Sequence, residues 1–86
     1  MTDDEILSDI QAVIAEETSA PQASIGPNSS AATIPGWDSL AHTRIVMSLE
    51  FRLGVTLDMD ATYRAPNVQA LADLAKAALS AQGKDH

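Results

Sequence analysis

No cysteine occurs in this 86-residue chain, and that absence limits how the chain can hold itself together. Chains this short often supplement a thin core with disulfides or a thiolate-bound zinc ion. Neither is open here, so stability has to come from packing alone. The material is aliphatic: 45% of the residues are hydrophobic, 15 of them alanine, and the aromatic residues are Trp37, Phe51 and Tyr63. Much alanine with few aromatic residues favours helix over sheet. The length allows one domain, residues 1–86, with no room for a catalytic domain beside a substrate domain.

Apolar periodicity places the helices. Thr2 and Glu5 stand in capping-box spacing ahead of Ile6, Leu7, Ile10, Val13 and Ile14, whose three-and-four spacing predicts a helix over residues 3–17. Residues 18–38 read as a loop rich in Ser, Ala, Pro, Gly and Asn, with Ile25 and Ile34 as its core anchors. Such a length is uncommon in a compact domain unless the loop has a job, and this one delivers the chain to a turn at Pro35-Gly36-Trp37-Asp38. A second helix, 39–53, is capped by Asp38 and closed by Gly54. Val55-Thr56-Leu57 is an extended connector, and Asp58 starts a short helix over 59–63. Pro66 separates that turn from a last helix over 67–81, capped by Asn67, with Val68, Leu71, Leu74, Ala75, Ala78 and Leu79 facing inward. Gly83 to His86 are expected to fray. The expected fold class is all-α: a small four-helix bundle with three longer helices, one short third helix and a long first loop.

Twelve acidic against five basic residues give a formal charge of −7, which repels nucleic acid and anionic lipid and attracts basic protein surfaces. The first helix alone holds Asp3, Asp4, Glu5, Asp9, Glu16 and Glu17, with no basic residue to offset them. An acidic N-terminus and the lack of any apolar run of spanning length argue against a signal peptide and membrane insertion, so the expected location is the cytoplasm.

The second helix has two apolar faces. At about 100° per residue, Ile45, Val46, Leu49 and Leu53 form one stripe, and Leu40, Arg44, Met47 and Phe51 lie nearly opposite. Three helices cannot surround a fourth, so one stripe should stay exposed. The Ile45 to Leu53 set is the core candidate and the Leu40 set the surface patch; the alternative is that Met47 and Phe51 pack under the long loop. Ser39 lies in the first turn, where free N–H groups and the positive end of the helix dipole suit an attached anion, although serine there is commonly a simple cap.

The run Gly36-Trp37-Asp38-Ser39-Leu40, the helix continuing through Ile45-Val46-Met47-Ser48-Leu49-Glu50, and Gly54-Val55 after it together resemble the acyl carrier protein family. The resemblance extends over nearly the whole chain, including the short third helix and the start of the last helix at Asn67-Val68. It implies that Ser39 carries 4'-phosphopantetheine, added from coenzyme A by a phosphopantetheinyl transferase. It also implies that Asp38 assists that transfer through the transferase's metal ion. The protein would then be no enzyme: a terminal thiol on the arm holds an acyl or aminoacyl group as a thioester and presents it to successive enzymes. Partners implied are the transferase, an acyl-loading ligase or acyltransferase and downstream biosynthetic enzymes, met by a monomer through Leu40, Arg44, Met47 and Phe51.

Other readings are weaker. Asp38, Ser39 and His42 could be arranged as a hydrolytic triad, but His42 falls on the core side of the wheel, as a rim histidine solvated or bonded to the loop. Asp58-Met59-Asp60 opens like a calcium loop, yet Tyr63 and Gln69 replace the glycine and glutamate such a loop needs. Two histidines without cysteine give no zinc ligand set. The runner-up is an unmodified helical adaptor that uses the same exposed stripe. Within the carrier family, Trp37 and the residues Arg44, Phe51 and Arg52 depart from the general fatty-acid pattern, and the Gly-Gly pair usual in peptidyl carriers is absent. These departures point to a specialised, free-standing bacterial carrier for secondary metabolism or cell-envelope assembly, its cargo unread.

Overall fold

The computed structural model describes residues 2–81; the expected fraying of Gly83 to His86 lies outside them. The described residues form four α-helices and no strand: α1 (Asp3–Thr18), α2 (Ser39–Leu53), α3 (Met59–Arg64) and α4 (Val68–Ala81), with a single 3₁₀ turn at Gln22–Ser24. This is the small all-α bundle expected from composition and periodicity.

Each helix starts where a short polar side chain takes up first-turn N–H groups that have no partner within the helix. Before α1, Thr2 Oγ1 accepts from the Glu5 N–H at 3.2 Å, and the Glu5 carboxylate accepts from the Thr2 N–H at 3.0 Å. The backbone bond from Thr2 holds the Glu5 carboxyl below its ordinary range. Asp38 accepts from the Ala41 N–H to start α2, Asp58 from Asp60 and Ala61 to start α3, and Asn67 from Ala70 to start α4. At the other end of α2, Gly54 takes the left-handed conformation, φ 68°, and its N–H returns to the Glu50 carbonyl.

The core collects Ile6, Ile10, Val13 and Ile14 of α1, Ile45, Val46, Leu49 and Leu53 of α2, and Val68, Leu71, Ala72, Ala75 and Leu79 of α4. Helix α1 packs on both α2 and α4, and α3 touches α2 and α4. The expected inner face of α4 needs one correction. Leu74 and Ala78 are half-buried, and Ala72 is buried in their place. Leu74 sits about 120° round from Val68, beside Ala61, Arg64 and Ala65 at the edge of α3, whereas Ala72 sits about 40° round on the other side, within the buried stripe.

The long loop is part of the core. Ile25 and Ile34 are buried as expected, and Trp37 joins them as a third anchor at 7% exposure. Hydrogen bonds hold its course. The Gln11 amide of α1 donates to the Ile25 carbonyl at 2.6 Å, and the first N–H groups of α4, on Val68 and Gln69, donate to the carbonyls of Ser29 and Pro27 at 2.8 and 2.9 Å. The loop thereby satisfies backbone donors of α4 that would otherwise face only water.

Tertiary contacts also supply cations that the first helix lacks. Arg52 lies 3.6 Å from Asp9 and 3.9 Å from Glu16, and Lys76 lies 3.0 Å from Asp3. The acidic residues of α1 are therefore partly offset across helices, a relief that helical spacing alone does not reveal. Exposed pairs of this kind contribute well under about 1 kcal/mol each.

Candidate functional site

The loop reaches the start of α2 through a position only glycine fits. Gly36 has φ +88°, and a Cβ there would lie 2.9 Å from the Thr18 carbonyl oxygen at the end of α1. This close pass drops the next residue, Trp37, into the core.

Trp37 then organises a short polar chain inside an apolar setting. Its Nε1–H donates to His42 Nδ1 at 3.1 Å, and His42 Nε2 lies 3.0 Å from Thr62 Oγ1. The Thr62 hydroxyl donates to the Met59 carbonyl at 2.7 Å. Tryptophan can only donate, so Nδ1 must present its lone pair; the threonine proton is committed to Met59, so Nε2 must carry the imidazole hydrogen. These assignments make His42 neutral with its hydrogen on Nε2. Burial lowers its pKa from 6.5, and a second proton would set an N–H against the indole N–H. No buried side-chain nitrogen or oxygen among the described residues lacks a partner. The Trp37 and His42 rings lie edge to edge and nearly coplanar, 6.1 Å between centroids and 17° apart, as their hydrogen bond requires, and Tyr63 covers His42 at 4.3 Å. His42 is thus a buried link between loop, α2 and α3. Of the two expectations for this histidine, solvation or a bond to the loop, the structure shows the bond to the loop, and Tyr63 and Thr62 of α3 close over the ring.

The same α3 turn fixes the backbone of Ser39. Its carbonyl accepts from the Tyr63 hydroxyl and from the Thr43 hydroxyl, each at 3.1 Å. The Ser39 side chain, in contrast, is exposed, and its hydroxyl has no hydrogen-bond partner among the described residues. Asp38 spends one carboxylate oxygen on the Ala41 N–H at 2.8 Å and is exposed. A fixed backbone under a free hydroxyl suits a residue that an outside catalyst must reach. It does not suit a triad, since both His42 nitrogens are engaged elsewhere.

Beyond Ser39 the outer stripe of α2 is open: Leu40 is 61% exposed, Met47 59% and Phe51 93%, with Arg44 exposed between them and unpaired with any described acidic residue. Met47 and Phe51 do not pack under the loop, because the loop is tied to α1 and α4. Sequence reasoning missed the roles of Trp37, Thr62 and Tyr63. The signal available was Trp37, a lone tryptophan in a small-residue loop five positions before a core-side histidine.

Residues 8–75 match the family described as phosphopantetheine attachment site. The chain belongs to that family. It is a carrier domain, with covalent 4'-phosphopantetheine as its prosthetic group, and it holds that group for other enzymes rather than catalysing a reaction itself. The chain matches none of the curated proteins it was compared with. The residues present fit the group: the carrier needs an accessible nucleophilic oxygen on a rigid base, and Ser39, within the matched region, has both.

Proposed function

We propose that Ser39 is the attachment residue and that the carrier presents an acyl or aminoacyl group, held as a thioester, to a series of partner enzymes. The observation that supports this most directly is the exposed, unbonded Ser39 hydroxyl on a backbone held by Tyr63 and Thr43. In the transfer from coenzyme A, the Ser39 oxygen bonds to the pantetheine-side phosphorus as the pyrophosphate linkage breaks, adenosine 3',5'-bisphosphate leaves, and the hydroxyl proton passes to a base of the transferase. The bound group supplies a thiol on a flexible arm, which this cysteine-free chain does not itself possess.

The rest of the chain has positioning duties. Asp38 caps α2 through one oxygen and keeps the other for the transferase's metal ion. The first-turn N–H groups of α2 suit the phosphodiester. Leu40, Arg44, Met47 and Phe51 extend from Ser39 along one side of α2, where partner enzymes approach; exposed methionine and phenylalanine suit an interface core. Arg44 selects partners with a carboxylate in reach, and the overall charge of −7 draws in basic surfaces and speeds encounter. Arg44, Phe51 and Arg52 support a specialised bacterial role in secondary metabolism or envelope assembly over general fatty-acid synthesis, with a cytoplasmic site of action.

The test is intact mass after incubation with coenzyme A and a broad-specificity phosphopantetheinyl transferase. A gain of one phosphopantetheine group that disappears in Ser39→Ala is the expected result. No gain, under conditions that modify a control carrier, would instead favour an unmodified adaptor.

A further inference from the structure

Ser39 lines an open pocket of about 260 Å³ whose other walls come from the long loop, α3 and the start of α4. The lining is mixed in character. Tyr63, 48% exposed, Ala65 and Pro66 contribute apolar surface. Ser30 and Asn67, both half-buried, and the exposed Asp38 contribute polar groups. Asn67 uses Oδ1 to accept from the Ala70 N–H, which leaves its amide hydrogens without a partner among the described residues. The Ser30 hydroxyl is likewise unpartnered there; only its backbone groups are bonded.

From this juxtaposition we infer that the pocket seats the first segment of the arm, the branched dimethyl carbon with its neighbouring hydroxyl and amide carbonyl, rather than the carried acyl group. The inference rests on Ser39 being the attachment residue. Continuity supports it, because the dimethyl carbon follows the phosphate after a single methylene and the pocket begins at Ser39 itself. Chemistry supports it too: the segment sets two methyl groups beside a hydroxyl and a carbonyl, matching a lining that combines apolar surface with a free hydroxyl and free amide hydrogens. Size agrees. A cavity of roughly 150 Å³ holds a benzene and drug-sized ligands take roughly 300–1,000 Å³, so 260 Å³ suits a short branched segment better than a long chain. Seating the base of the arm would limit its starting directions while leaving the thiol end free to reach a partner.

The experiment uses the carrier with a free thiol, loaded enzymatically with carbon-13-labelled arm and shown by intact mass to be fully modified. Isotope-filtered NMR should give contacts from the arm methyls to the Tyr63 ring and Pro66, and a wider separation of the two inequivalent methyl signals than the same arm shows in free coenzyme A. Asn67→Asp keeps the acceptor that caps α4 but replaces the free donors with a negative charge near the phosphodiester. In fully modified N67D with unchanged circular dichroism, the contacts should weaken at least twofold and the methyl separation should shrink. A methyl separation no wider than in free coenzyme A, without contacts, in protein modified at Ser39, would overturn the inference and leave the attachment reading standing; contacts unaltered in N67D would overturn the part assigned to Asn67. Modification absent, or persisting in Ser39→Ala, would overturn the attachment reading and the inference with it.

Discussion

Leu49→Ala and Phe51→Glu, two positions apart on α2, should have opposite outcomes. Leu49 is 0% exposed and Phe51 is 93% exposed. Leu49 lies one turn from Ile45 and from Leu53, on the face that joins the main core. Truncating a buried leucine costs about 2 to 5 kcal/mol, the larger values arising where surrounding structure cannot collapse into the space. Here the neighbouring helix stripes are buried side chains on capped helices, so about 3 to 4 kcal/mol is expected. At roughly 0.05–0.15 kcal/mol per residue, 86 residues give a total of about 4 to 13 kcal/mol, so the loss is a large share. For a domain of this size it corresponds to a fall in Tm of roughly 12 to 30 °C. Phe51→Glu removes a side chain that touches almost nothing and should stay within about 0.5 kcal/mol. Thermal and urea melts followed by circular dichroism measure both. An unchanged midpoint in Leu49→Ala, or unfolding in Phe51→Glu, would mean that the inner and outer stripes of α2 have been exchanged.

Three further outcomes are expected. His42 is lowered from 6.5 by burial, so the unfolded chain takes up its proton at higher pH than the folded one; stability should be full above about pH 6.5 and fall as pH drops toward the folded value. Melts at pH 7.5 and pH 5.5 measure that loss, and His42→Phe should flatten it; an equal slope in the variant would place its source elsewhere. Gly36→Ala combines φ +88° with a Cβ 2.9 Å from a backbone oxygen and should cost about 1 to 3 kcal/mol, read by urea midpoint and by a red shift of Trp37 fluorescence; no change in either would show that the turn relaxes freely. Arg44→Glu should leave the melt unchanged and reduce loading by the cognate enzyme severalfold at equal modification, whereas undiminished loading would remove Arg44 from the contact.

The sequence alone determined the helices and their ends, because caps and periodicity act between residues three or four apart. Thr2 with Glu5, Asp38, Gly54 and Asn67 are legible for that reason. It also showed that α2 has one stripe too many for its neighbours to bury, and it placed Ser39 in the first turn of that helix. What tertiary structure decided are relations over longer separations. Tyr63 reaches the Ser39 carbonyl across 24 positions and Thr62 reaches His42 across 20, distances over which no local period operates. The choice of Ala72 over Leu74 for the interior followed from where α1 and α3 sit against α4, and the partners of the α1 acids came from α2 and α4 in the same way. The pocket beside Ser39 exists only because loop, α3 and α4 converge there, and each contributes side chains that read as ordinary surface in their own segments.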